Sequence, residues 1–307
     1  MLELPEVEAR RRYGDRLAIA ALGVVEEREN IRVVHDGSHK VHVNHRIRVR
    51  DQIRSPGAGE LRALIQERVA RGAKSFAILG DISKAHRRIK VRESDWGFQA
   101  CQLDAGKVWL STVGIYGMSP AAYWWGRFAA AALVRLGHYV AGTASSLELL
   151  LYVDDFLMLP FNKEGIVLAG ALIYLWTALG IPLRWDKCRG GHKVEWIGFW
   201  ADLWLGHLGI SERRARWLAE WMSEQVKLGR TELADFTSVL GRLCFSMGPL
   251  EYLRPFVAPL FAWASAVGHR GSIQVPWSIA FIFEFLSAEL WARAGSRRSD
   301  RWQRTWG

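Results

Sequence analysis

The stretch from Leu149 to Leu159, LLLYVDDFLML, sets two adjacent carboxylates between two apolar runs. Each run has the length and composition of a strand. The simplest object that fits is a β-hairpin with Tyr152-Val153-Asp154-Asp155 at its turn. Strands built on leucine and phenylalanine are expected to be buried, yet the tip carries two like charges. Like charges that close repel unless a cation lies between them, which makes a divalent-metal site the first possibility to test. An acidic turn with no ligand fits this stretch equally well, because aspartate is a common turn residue. The rest of the chain has to decide.

Half of the 307 residues are hydrophobic, which excludes a disordered chain and is enough for two or three subdomains with a sizeable core. The net charge of +10 suggests an anionic partner such as nucleic acid. Three cysteines, Cys101, Cys188 and Cys244, are odd in number and far apart. They match neither a disulfide framework nor a zinc site and fit a reducing compartment. The N-terminus lacks the basic-then-apolar order of a signal peptide. Arg127 and Glu284 interrupt the two most apolar windows, so no transmembrane helix is expected and the reading is an intracellular protein, cytoplasmic or nuclear.

In chain order, residues 1–16 read as a charged, weakly helical lead-in. Leu17–Val25 and Ile31–His35 read as strands of a hairpin around the polar 26–30 turn. Residues 38–54 are basic, with Lys40, Arg46, Arg48, Arg50 and Arg54, and suit an exposed surface along a phosphate backbone or an ordinary solvated loop. His35, His39, His42 and His45 fall in or beside this stretch and read as polar surface, since their spacing matches no zinc pattern. Residues 60–71 have helical spacing, 75–80 form a buried-type strand, and Asp81 follows directly. Residues 98–103 and 107–113 suggest a hairpin. Pro120–Leu136 reads as a helix with Trp124, Trp125 and Phe128 near one face. An apolar helix follows at 163–179, then a strand at 194–200 and a short one at 202–208. After Gly209 the pattern is helical only, at 211–228, 231–247, 250–267 and 276–292. Within the first of these, Trp217 and Trp221 stand one turn apart and read as core. The tail is basic, with Arg293, Arg297, Arg298, Arg301 and Arg304.

Asp81 ends one core strand and Asp154-Asp155 end another. If these strands are neighbours in one sheet, three carboxylates converge without a basic partner adjacent in sequence. Such a set favours hard cations bound through oxygen. Two such ions can activate an attacking hydroxyl and stabilise the leaving oxygen. Residue chemistry alone therefore reaches metal-dependent phosphoryl transfer on nucleic acid, without separating polymerase from nuclease.

At this point the order of motifs resembles a reverse transcriptase of the retroviral and retrotransposon kind, with the flavour of LTR or tyrosine-recombinase elements. Gly80-Asp81-Ile82-Ser83-Lys84-Ala85-His86 is similar to the family's first palm motif. Tyr116-Gly117-Met118-Ser119-Pro120 resembles the nucleotide-contacting turn and helix, and Tyr152-Val153-Asp154-Asp155 the catalytic turn. Leu183-Arg184-Trp185-Asp186-Lys187-Cys188 resembles the motif that carries a lysine. Trp196-Ile197-Gly198-Phe199 is similar to the primer-grip strand pair, and Arg32–Asp36 to a fingers strand. A lone YVDD is a weak signal; six segments in the right order across roughly residues 18–210 are a specific one.

The resemblance implies an α+β right-hand fold: partial fingers (1–73), a ferredoxin-like palm with an antiparallel sheet (74–208, with a fingers hairpin at 88–113), a helical thumb (209–292) and a basic tail (293–307). It implies an RNA-directed DNA polymerase core acting on an RNA or DNA template with a DNA primer and dNTPs. Two Mg²⁺ ions, replaceable by Mn²⁺, would be held by Asp81, Asp154, Asp155 and the Ile82 carbonyl. Arg32, Ile82, His86, Tyr116 and Gly117 would form the nucleotide pocket. Tyr152, Val153, Trp196, Ile197, Gly198 and Phe199 would face the primer, and Lys187 would protonate the leaving pyrophosphate. Bland readings remain beside these: Lys187 as a surface cation, Arg32 as a hairpin charge, Trp196 as core. His86 stands where the family carries a bulky aromatic that excludes the ribose 2′-hydroxyl, which implies weaker rejection of ribonucleotides. The arm before Arg32 offers Glu26 and Glu27, and only Arg28 as a base, where a γ-phosphate lysine is expected. No second acidic cluster follows the helical region, so no RNase H domain is expected, and no protease or integrase signature appears. The chain reads as a polymerase core cut from, or degenerated from, a longer polyprotein. Two alternatives stay open. One is an inactive or domesticated nucleic-acid-binding relic. The other is an RNA-directed RNA polymerase, against which Val153 argues because the turn there is usually Gly-Asp-Asp.

Overall fold

Short apolar strands followed by long amphipathic helices give a mixed sheet-and-helix architecture in the computed structural model, which describes residues 1–27, 30–142, 146–268 and 271–293. The chain opens with strand β1 (Leu2–Pro5) and helix α1 (Glu6–Tyr13), then β2 (Ile19–Ala20), β3 (Leu22–Glu27) and β4 (Asn30–His35). A short helix α2 (Val43–Arg46) interrupts the basic stretch, and α3 (Ala58–Ala70) follows it. Next come β5 (Ala77–Asp81), β6 (Ala100–Cys101) and β7 (Lys107–Leu110). Helix α4 (Ser119–Trp125) continues through a π-helical segment (Gly126–Val134) into α5 (Arg135–Ala141). After β8 (Leu147–Tyr152), β9 (Asp155–Pro160) and α6 (Lys163–Ala178) come β10 (Arg189–Gly191), β11 (Lys193–Trp196), β12 (Phe199–Asp202) and β13 (His207–Ile210). The last elements are α7 (Glu212–Leu228), β14 (Arg230–Glu232), α8 (Leu233–Ser246), α9 (Ala258–Val267), β15 (Ser272–Gln274) and α10 (Trp277–Arg293).

The central sheet has the order β10-β5-β9-β8, with all pairs antiparallel. Both faces of its middle are covered, which is why β9 reads as an unbroken apolar run rather than an alternating one. Phe156 and Met158 point to one side, where they pack with Trp125, Leu172 and Trp176 from α4 and α6. Leu157 and Leu159 point to the other, against Leu61 and Ile65 of α3 and Val194 and Trp196 of β11. Helix α6 begins where Asn162 Oδ1 accepts the Gly165 amide at 2.8 Å, an N-cap that fixes the crossing from β9. A second sheet, β1-β7-β6-β2, encloses a small core of Ala9, Tyr13, Ala100, Val108 and Leu110. Downstream, α7, α8, α9 and α10 enclose a core of their own, with Leu218, Met222, Phe236, Leu240, Phe283 and Leu286 buried. Among the described residues no helix is long and apolar enough to cross a membrane.

Several expectations change. The lead-in contains strand β1, paired with β7, so residues 1–16 are not helical throughout. Leu17–Val25 splits: Ile19–Ala20 pairs with β6 in a different sheet, and only Leu22–Glu27 joins the hairpin with β4. His35 is 3% exposed and so is not polar surface; it sits beneath the 116–117 turn. Residues 194–200 are two strands rather than one, because Ile197 (φ 46) and Gly198 (φ 83) adopt left-handed backbone and turn the chain between β11 and β12. The region after Gly209 is not purely helical, since β14 and β15 pair. Trp124 and Phe128 are exposed while Trp125 is buried, so the three do not share a face. Trp217 is partly exposed under the Arg242 guanidinium, 4.8 Å from its ring centroid, and only Trp221 packs on the core. Arg28 and the tail beyond Arg293 lie outside the described residues.

Leu218 is completely buried among α7, α8 and α10, so its truncation leaves a void that the helices cannot fill. Leu218→Ala is expected to lower the free energy of unfolding by about 2–5 kcal/mol, read from urea denaturation.

Candidate functional site

The register of β5 on β9 places Asp81 directly opposite Asp155. Both carboxylates stand at the strand ends, and Asp154 lies in the turn beside them. Sequence could name the three residues; only the strand pairing brings them together. Asp81 is 9% exposed and receives Lys187 Nζ at 2.8 Å on Oδ2. Burial raises the Asp154 carboxyl above its ordinary range, and the Asp81 charge adds to the rise. Asp155 is pushed up to about 6 by burial and then by the charges of Asp154 and Asp81, with Lys187 pulling the other way. The acidic turn is therefore no ordinary solvated one: its charged form is penalised by its own neighbours, and a cation relieves that penalty.

The donor set fits a hard divalent ion in kind, as three carboxylates of raised or ion-paired character. Its arrangement is not closed around one. Among the described residues no group of three or more His, Cys, Asp or Glu side chains is drawn up to hold a metal ion. Lys187 supplies the positive charge at Asp81 instead. The Ile82 amide donates to the Asp154 carbonyl at 2.8 Å, and Ile82 is buried where it bridges Leu183.

The turn itself is strained. Val153 has φ 55, a left-handed conformation that costs a non-glycine residue about 1–3 kcal/mol. Its carbonyl accepts a hydrogen bond from Trp125 Nε1 at 2.7 Å. Val153 is 36% exposed, whereas Tyr152 is half-buried against the core of Leu157, Leu159 and Trp196 and meets the Phe245 ring edge to face at 6.4 Å.

A second group forms over the carboxylates. The Arg32 guanidinium lies 5.0 Å from the centre of the Tyr116 ring, and the Tyr116 and His86 rings meet edge to face at 5.3 Å. Burial lowers the His86 imidazole below its usual range, Asp154 opposes that, and Arg32 reinforces it. His86 is therefore neutral near pH 7, and its buried Nε2 has no hydrogen-bond partner among the described residues. Gly117 follows with φ 91, and a Cβ there would run into the His35 carbonyl. Glycine is thus required by the docking of β4 against this turn, in addition to any ligand. Asn44, which sequence reasoning passed over, clamps the same turn. Its Nδ2 donates to the Gly117 carbonyl at 2.7 Å and its Oδ1 accepts the Ser119 amide at 3.0 Å. The only prior signal was an asparagine inside a basic loop, which has no periodicity to reveal it.

Of the primer-side residues, Trp196 and Phe199 are 3% and 1% exposed, so they are chiefly packing. Trp196 Nε1 reaches the Asp155 carbonyl at 3.4 Å, and Phe199 stacks on Phe245 of α8 at 4.9 Å. The Ile197-Gly198 turn is the half-buried part, and Arg214 Nη1 holds the Ile197 carbonyl at 3.3 Å. A cavity of about 250 Å³ opens between Asp81, Asp155, Lys187 and this strand pair.

No protein-family model and no curated protein matches this sequence. Solved structures do share its architecture. A foamy viral protease–reverse transcriptase in complex with double-stranded DNA overlays with a TM-score of 0.59 at 14% identity, covering 89% of this chain and 43% of that one. The foamy viral protease–reverse transcriptase in complex with an RNA/DNA hybrid gives 0.57 at 14%, over 89% of this chain and 33% of that one. Telomerase from Candida albicans, with a fragment of telomeric RNA, gives 0.51 at 11%, over 94% of this chain and 61% of that one. The chain spans less than two thirds of the length of each of these structures. At such identities the likeness is one of fold, and the fold is reverse-transcriptase-like.

The electrostatics give a direct check. Asp155 protonates near 6 in the folded chain and near 3.8 in the unfolded one. The native state therefore binds the extra proton between those values, so stability falls as pH rises through that window and the full penalty persists above it. In a chelating buffer Asp155→Asn is expected to be more stable than the parent at pH 7.5. The gap should close as pH drops below 4, measured by urea unfolding at both pH values; a gap that widens on acidification contradicts the assignment.

Proposed function

We propose that this chain is an RNA-directed DNA polymerase core that adds dNTPs to a primer 3′-hydroxyl. The observation that carries the reading is the β5–β9 register, which sets Asp81 opposite Asp155 with Asp154 beside them and the carboxyls of Asp154 and Asp155 destabilised as anions. The reverse-transcriptase-like fold and the net charge of +10 support a nucleic-acid substrate.

Asp81, Asp154 and Asp155 would hold two Mg²⁺ ions, which when bound supply Lewis acidity at the α-phosphate and ease loss of the 3′-hydroxyl proton. Lys187 would leave Asp81 as the ions enter, and its ammonium would then face the leaving group. The 3′-hydroxyl would lose its proton to solvent as its oxygen forms a bond to the α-phosphorus, the bond from that phosphorus to the α,β-bridging oxygen would break, and pyrophosphate would depart with a proton from Lys187. Arg32 would grip the triphosphate, since a guanidinium binds phosphate oxygens bidentately. Tyr116, Gly117 and His86 would form the wall of the nucleotide pocket. The Ile197-Gly198 turn, more than the buried Trp196 and Phe199, would meet the primer end.

A second reading draws support from the Lys187–Asp81 ion pair and the open arrangement of the carboxylates. These suit a relic that binds nucleic acid without catalysis. Primer extension on an RNA template with Mg²⁺ separates the two. Activity with dNTPs that falls about 10²–10³-fold in Asp154→Asn supports the polymerase. Binding without extension supports the relic, and extension with NTPs alone an RNA polymerase.

His86 offers a narrower outcome. Imidazole is smaller than a phenol and carries a free nitrogen at the pocket wall. The parent is expected to incorporate ATP more readily, relative to dATP, than His86→Tyr does, by about tenfold or more. Equal ratios in the two proteins would sink this role for His86.

A further inference from the structure

We propose that Trp125 is a positioning residue for Asp154, acting through the Val153 carbonyl. The peptide planes on both sides of Asp154 are held by donors from outside the hairpin. The Val153 carbonyl, in the plane before it, accepts Trp125 Nε1 at 2.7 Å. The Asp154 carbonyl, in the plane after it, accepts the Ile82 amide at 2.8 Å. With both planes fixed, the φ and ψ of Asp154 are fixed, and so is the direction in which its carboxylate leaves the chain. Asp155 needs no such device, because it is already a ladder residue opposite Asp81 and Tyr152.

Three further observations single out the indole. Val153 is β-branched with φ 55, so the turn does not hold this shape by its own preference. Strand β8 is the edge of its sheet, so among the described residues no further strand braces the turn from that side. A cavity of about 750 Å³ lies there instead, walled by Trp125, Leu149, Leu151 and Val153 together with the 49–56 segment. Packing alone therefore does not confine the turn on this flank. Trp125 is 1% exposed and rooted in the core beneath the sheet, which makes its N–H a fixed donor rather than an adaptable one.

Trp176 provides an internal comparison. It is a completely buried indole in the same core, in edge-to-face contact with Phe156, and its Nε1 has no partner among the described residues. Trp125→Phe and Trp176→Phe remove equal volume from one core, and only the first removes a bond to the turn. The proposal rests on the polymerase reading for what Asp154 does, though not for how it is held.

Two measurements on the full chain test it. Deuterium exchange, followed on a peptide spanning Leu149–Met158, should quicken in Trp125→Phe and match the parent in Trp176→Phe. In primer extension, Trp125→Phe should lower kcat about 10- to 100-fold and raise the Mg²⁺ concentration for half-maximal rate, with the dNTP KM within about twofold of the parent. Trp176→Phe should keep the parent kcat at a comparable loss of thermal stability. Equal exchange in the two variants, or equal loss of kcat, overturns the proposal and reduces Trp125 to packing. A parent that does not extend primers while the exchange difference persists overturns the polymerase reading and leaves the positioning role standing.

Discussion

The carboxylate side of the site follows from one pairing, that of β5 with β9. Two acidic strand ends are brought into register where burial penalises charge. An arrangement of that kind is unfavourable unless the surrounding structure enforces it or a cation compensates it. Here both happen. The sheet is covered on its two faces by separate cores, which leaves the strands no freedom to slip. A one-residue slip would exchange Phe156 and Met158 with Leu157 and Leu159 and carry Asp155 away from Asp81. The same packing that stabilises the hairpin thus fixes the distance between its charges.

The carboxylate hairpin was legible because its signal is local. Two apolar runs of strand length, a polar tip and an aspartate ending an earlier strand can all be read without knowing the partners of any residue. The long helices after Gly209 were legible for the same reason, since their spacing is set by the turn of the helix itself. What escaped depends on tertiary neighbours. Nothing in the pattern around Trp124 and Trp125 says which indole is buried; that is decided by the core of β9 and α6 on which Trp125 packs, while the π-helical segment downstream shifts the angular position of Phe128. The break at Ile197 escaped because isoleucine is a strand former, and only the Gly198 beside it hinted at a turn. His35 reads as surface when grouped with the histidines of the polar stretch that follows it, whereas its cover comes from the 116–117 turn.

The nucleotide side of the site shows the same dependence at longer range. Arg32, Tyr116 and His86 come from three separate segments, and their contact exists because the β3–β4 arm is docked on the 116–119 turn. Gly117 allows that docking sterically and Asn44 secures it with two hydrogen bonds. A glycine in this position therefore has two constraints, one from the protein's own backbone and one from any ligand. The first is visible without a ligand, which is why the residue type alone is weak evidence for nucleotide binding here.

Lys187 connects these observations. An ammonium paired with Asp81 at 2.8 Å offsets one of three crowded negative charges and leaves the penalty on Asp154 and Asp155 in place. The same pairing places the cation that a leaving pyrophosphate would need within reach of the carboxylates. On the polymerase reading proposed above, a divalent ion arriving at Asp81 would weaken the hold on the ammonium, so ion entry and release of Lys187 would be one exchange rather than two events. With the Val153 carbonyl held by Trp125 and the Asp154 carbonyl by Ile82, the backbone does not have to move during that exchange. On that reading the rearrangement would be confined to side chains, the ammonium of Lys187 and the carboxylates of Asp81, Asp154 and Asp155.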